Sequence, residues 1–131
     1  MHFVKVNNNG LLSFGKAVST YTPRSFPLGD GCQLIAPYWA DVDTREAGTV
    51  WFREVNDSAL LNRIGGNLRR NIASLSFQPT SALIVTWESV GYYSAHFDLV
   101  STYIGIISSV TFLIPSLPTY QCYTRKNIQY W

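Results

Sequence analysis

"ALIVTWESVGYY", residues 82–93, is dense in β-branched and aromatic side chains and carries no proline, the make-up of a strand inside a sheet. Upstream, "GTVWFREV" (48–55) alternates. Val50, Phe52 and Glu54 fall on one face and Trp51, Arg53 and Val55 on the other, the period-2 pattern of a pleated strand. Further upstream, "FVKVNNNGLLSFG" (3–15) sets two apolar runs around Asn7-Asn8-Asn9-Gly10, and Asn-Gly supplies the positive φ angles of a tight hairpin turn. Turn signals punctuate the rest, at Pro23, Pro27 to Gly31, Pro37, Gly48, Gly65-Gly66 and Pro79. Short strands at such intervals predict a mainly β fold, an antiparallel β-sandwich.

One segment departs from that period. In "NDSALLNRIGGNLRRNIASL" (56–75), Leu60, Leu61, Ile64 and Leu68 recur at helical spacing, with Asp57 or Ser58 placed to cap. Gly65-Gly66 is a poor helix continuation, so the expectation is one short helix from about residue 58 to 64, then a loop.

From Leu99 to Thr124 no residue carries a formal charge. A membrane-spanning helix needs about 20 consecutive apolar residues, and here Ser, Thr, Pro115 and Pro118 interrupt the run. A strand pair, a membrane-associated segment and a poorly ordered, aggregation-prone tail all stay open. The expected organisation is a domain core over 1–98 with divergent C-terminal strands or a poorly ordered tail over 99–131.

The chain has 131 residues, 47% hydrophobic and 15% aromatic, enough for one domain with one core. Its net charge of +2 and lack of any basic run point away from nucleic acid. Cys32 and Cys122 allow one disulfide, with pairing and free thiols both open, and no Cys/His spacing suggests zinc. The start "MHFVKV" has no secretory h-region.

Several side-chain groupings bear on chemistry. Asp41 and Asp43, in "IAPYWADVDTR" (35–45), would lie about 7 Å apart on one strand face, near the spacing of paired glycosidase carboxylates. Such pairs face each other across a cleft, which one strand does not provide. With Asp30 or Glu46 the two aspartates are Ca²⁺ candidates. The structural alternative sets Tyr38 and Trp39 against the core and closes the strand end with the carboxylates on Arg45 or backbone amides. Ser94, His96 and Asp98 alternate along one strand and do not converge as a triad must. Trp87 with Tyr92 and Tyr93 forms either an exposed aromatic ligand surface or core packing. Asn56-Asp57-Ser58 is a glycosylation sequon in a predicted loop. No cofactor is suggested.

Five stretches in order, "VNNNGLLSFG" (6–15), "FPL" (26–28), "IAPYWADVDTR" (35–45), "GTVWFREV" (48–55) and "FQPTSALIVTWESVGYY" (77–93), resemble the NIDO domain, a nidogen-type extracellular module of mosaic proteins. The resemblance covers residues 4 to 93. It implies a secreted β module for cell–matrix adhesion, without enzymatic activity, binding matrix or cell-surface proteins and reaching a membrane only through a parent protein. Partner binding would then fall to Tyr92, Tyr93 and the loop from Asp43 to Gly48, with W-A-D-V-D as a structural hallmark. A hydrolase using Asp41/Asp43 and a truncated product with no activity of its own are the alternatives. After the tyrosines the sequence leaves the family pattern, and only "NIQYW" (127–131) is similar to its closing motif. The chain is therefore expected to be a fragment, altered at both ends, with open sheet edges.

Overall fold

The computed structural model describes residues 4–71, 78–94, 100–109 and 128–130. Within them the chain runs β1 (Val4–Asn7), β2 (Leu11–Phe14), β3 (Gln33–Ile35), β4 (Val42–Asp43), β5 (Thr49–Val55), α1 (Ser58–Asn71), β6 (Ser81–Tyr92), β7 (Val100–Ser109) and β8 (Ile128–Tyr130). The fold is mainly β in antiparallel sheets, with a single helix among the described residues.

Strands β1, β2 and β3 form one antiparallel sheet in that order. The second sheet is organised around β6. Trp87 pairs with Val50 of β5 on one side and Tyr103 of β7 on the other, while Gly91 pairs with Asp43 of β4 and Val100 of β7. A strand has two edges, so β4 and β5 share one of them and β7 takes the other. The last strand, β8, lies parallel to β5, with Ile128 opposite Val50 and Tyr130 opposite Phe52.

The two sheets pack face to face. Val4, Val6 and Leu12 of the first meet Val50, Phe52, Leu83, Val85, Trp87 and Val90 of the second in one buried cluster. Trp87 is fully buried, and its indole N–H donates across the sheets to the Asn7 carbonyl at 3.0 Å. That bond satisfies the one polar atom that burying a tryptophan puts at risk. Residues 87 and 90, three apart, would face opposite ways in a regular strand. A register shift between them, with Ser89 at φ 49°, inserts the extra residue that turns both inward. Gly48, at φ 84°, passes over this bulge so closely that a Cβ there would lie 2.6 Å from the Val90 Cα.

The other face of β5 and β6 carries Val55, Ala82 and Ile84, and α1 covers it with Leu60, Leu61 and Ile64. Asp57 caps the helix, its carboxylate accepting the Leu60 N–H at 2.8 Å while its carbonyl accepts Leu61 N–H. The expected stop at residue 64 is wrong: α1 continues to Asn71 straight through Gly65-Gly66. Gly65 is buried where the helix crosses the Pro79 ring, and a Cβ there would meet Pro79 Cδ at 2.8 Å. The missing side chain permits that approach, and packing outweighs the propensity cost of about 1 kcal/mol per glycine.

The hairpin turn also differs from the expected tight Asn-Gly form. Asn7 pairs with Leu11, so three residues form the loop, and only Gly10 takes positive φ, at 79°. The Gly10 N–H donates to the Asn7 carbonyl at 3.1 Å, closing the turn that precedes the left-handed glycine. Of the uncharged segment after Leu99, residues 100–109 form a strand, and Gly105 there lies against Pro37 and Trp87. Residues 110–124 lie outside the described residues. Among those described, no helix is long and apolar enough to cross a membrane.

Candidate functional site

The segment around Asp41 is held by the asparagine turn as well as by the pairing of β4 with β6. The Asn9 carbonyl accepts the Ala40 N–H at 3.1 Å, and its side-chain oxygen accepts the Val42 N–H at 2.9 Å. Asn8 donates its amide to the Thr44 hydroxyl at 3.0 Å. Asn7 turns back to the Val18 carbonyl at 2.7 Å and accepts the Asn9 N–H at 2.9 Å. Three successive asparagines thus pin two distant stretches, 40–44 and Val18, to one turn. Asparagine suits this because each side chain offers both an acceptor and donors on a short stem.

The two aspartates receive different surroundings. Asp43 is taken up by Arg45: its Oδ1 accepts the Arg45 backbone N–H at 3.0 Å and Nε at 2.8 Å, and Oδ2 accepts Nη2. The Arg45 guanidinium also stands 5.7 Å from the Tyr93 ring centroid. The Asp43 carboxylate holds the Arg45 guanidinium well above its ordinary pKa. Asp41 has no side-chain hydrogen bond or ion pair among the described residues, and its carbonyl accepts the Tyr93 N–H at 2.8 Å. It lines a cleft of about 580 Å³ between the asparagine turn and residues 17–21. No group of three or more His, Cys, Asp or Glu side chains gathers among the described residues.

Trp87 and the tyrosines divide between the two readings open to them. Trp87 is core; Tyr92 and Tyr93 are 51% and 55% exposed. Tyr38 was expected against the core and is instead 55% exposed. Its neighbour Trp39 is half-buried and meets the exposed Phe26 edge-on at 6.2 Å. Asn56 is exposed, immediately ahead of the Asp57 cap. Cys32 carries a half-buried free thiol beside Asp30, whose carboxylate accepts the Cys32 N–H at 3.1 Å and pushes that thiol up from its ordinary pKa. Cys122, His96 and Asp98 lie outside the described residues. Sequence reasoning passed over Asn9, Ser19 and Tyr21, which join Asp41 in lining the cleft. The available signal was the run of three asparagines, more than a turn requires.

These elements define an antiparallel β module whose specific polar contacts concentrate on one asparagine turn and the W-A-D-V-D segment it holds. The chain belongs to the nidogen-like (NIDO) domain family, which matches it over residues 2–122. Mouse alpha-tectorin is 46% identical over 91 residues, 69% of this chain and 4% of the relative. Mouse nidogen-1 is 37% identical over 92 residues, 69% of this chain and 7% of the relative. Drosophila melanogaster nidogen is 28% identical over 102 residues, 75% of this chain and 7% of the relative. The chain thus corresponds to a small part of each of these proteins. No solved structure matches it.

Proposed function

We propose that the chain is a non-enzymatic extracellular module of a larger mosaic protein, serving cell–matrix adhesion by binding matrix or cell-surface proteins. Its family and its relatives, alpha-tectorin and nidogen, which are extracellular matrix proteins, support the matrix setting. The observation that carries the binding surface is the exposed pair Tyr92 and Tyr93 at the end of β6. Val42 pairs with Tyr92, the Asp41 carbonyl holds the Tyr93 N–H, and Arg45 stands over the Tyr93 ring. Large aromatic faces on a fixed backbone lose little entropy on contact, which is why tyrosine recurs at the energetic centres of interfaces. Loop 43–48 flanks this pair and extends the surface. On this reading residues 1–98 carry the domain core, 99–131 supply divergent C-terminal strands or a poorly ordered tail, and Asn56 carries a glycan when the chain is secreted.

The test is a Tyr92→Ala/Tyr93→Ala double variant of the secreted 131-residue chain, assayed against a panel of immobilised matrix proteins. Binding should weaken by about tenfold or more with an unchanged unfolding midpoint. Unchanged binding would remove the tyrosines from the interface. For the hydrolase alternative, an Asp41→Asn/Asp43→Asn variant that stayed stable yet lost a measured turnover would overturn the non-enzymatic reading.

A further inference from the structure

The cleft beside the asparagine turn has a donor and acceptor set that the adhesion reading does not use. Asn9 spends its side-chain oxygen on the Val42 N–H, which fixes the amide orientation and leaves Nδ2 as a donor with no partner among the described residues. Asn9 bonds Ala40 and Val42 on either side of Asp41, so this donor and the unpartnered Asp41 carboxylate flank the same short stretch of backbone. Asn9 and Asp41 both line the cleft, with Ser19 and with Tyr21, which is 58% exposed. Lys5 is the one cation of the lining, and its ammonium donates to the Gly15 carbonyl at 2.9 Å.

We infer that this cleft binds a sugar ring, either as a free saccharide or as part of a glycan. A sugar hydroxyl both donates and accepts, so two neighbouring hydroxyls are satisfied together by one carboxylate and one amide NH₂. The apolar C–H face of the ring then has the exposed Tyr21 ring to lie against. A cation would leave the Asn9 donor unanswered and face Lys5, and an anion would face Asp41, so the paired signs select a neutral ligand. A cleft of about 580 Å³ falls within the usual range of small-ligand sites. The site is separate from the protein-binding role of Tyr92 and Tyr93 and does not rest on it.

The experiment titrates the ¹⁵N-labelled 131-residue chain separately with galactose, glucose, mannose and N-acetylglucosamine, following the Asn9 side-chain NH₂ and the Tyr21 amide by NMR. At least one sugar should give saturable shifts at both positions. Asp41→Ala should weaken that binding by about tenfold, as expected for loss of a charged hydrogen bond, and Tyr21→Ala should also weaken it. Neither side chain has a hydrogen bond or ion pair among the described residues, so both variants should unfold at the parent temperature. Tyr92→Ala/Tyr93→Ala should leave the sugar shifts intact, which separates this site from the protein-binding surface. Ovalbumin before and after enzymatic deglycosylation distinguishes the sources: binding only before places the ligand on a glycan, and equal failure of both with a free sugar bound places it in solution. Absence of saturable shifts with all four sugars and of glycan-dependent ovalbumin binding overturns the proposal. So does sugar binding that Asp41→Ala leaves unchanged.

Discussion

The asparagine turn with segment 40–44 and the β6–β7 ladder are held together by different means. In the first, side chains of Asn7, Asn8 and Asn9 bond backbone and hydroxyl groups at 2.7–3.0 Å, and each bond depends on that residue at that position. In the second, the pairing from Ser81↔Ser109 to Gly91↔Val100 is a backbone register, which many sequences satisfy. The family words "VNNNG" and "WADVD" fall in the first region, and "ALIVTWESVGYY" falls on β6 in the second, with the family match running on across β7. A ladder tolerates rewriting because its bonds belong to the main chain; a polar latch does not.

That contrast can be broken or sharpened by substitution. The largest effect is expected where both sheets and the latch meet: Trp87→Ala removes a fully buried ring and its bond to Asn7, and should cost about 3–5 kcal/mol in urea unfolding. Gly48→Ala should follow, at about 1–3 kcal/mol, because a Cβ at φ 84° would strike the Val90 backbone. Asn9→Ala should cost about 1–2 kcal/mol by leaving the part-buried Val42 N–H without its acceptor. Hydrogen exchange at Val42 in β4 should rise before β6 responds. Smallest is Ile104→Thr in β7, a 59% exposed site, with a change within about 0.5 kcal/mol. A β7 effect as large as that of Asn9→Ala would dissolve the distinction.

The strands were legible because their signal is local. Val50 and Phe52 share a face as the alternation predicts and that face meets the core, while Val55, on the other face, is buried under α1. The helix beyond residue 64 was not legible: Gly65-Gly66 reads as a stop until Pro79, fourteen residues later in sequence, is known to lie against it. Tyr38 looked like core because aromatics usually are; whether a loop side chain faces in depends on a path that residue type does not encode. The exposed tyrosines and the Asp43–Arg45 pair were within reach of sequence. The cleft was not, because Lys5, Asn9, Tyr21 and Asp41 come from separate segments that only the latch brings together.

The bond from Trp87 to Asn7 joins positions eighty residues apart. The core of the first hairpin therefore lacks most of its inner wall until β6 has been synthesised, since Leu83, Val85, Trp87 and Val90 join Val4, Val6 and Leu12 only then. Such non-local pairing belongs to the slow, millisecond-to-second class of folding reactions. During synthesis the early strands wait, solvent-facing, for a partner still to emerge. In a secreted chain that interval would be spent among chaperones, and a substitution that slows the arrival of β6 would lower yield before it lowered stability.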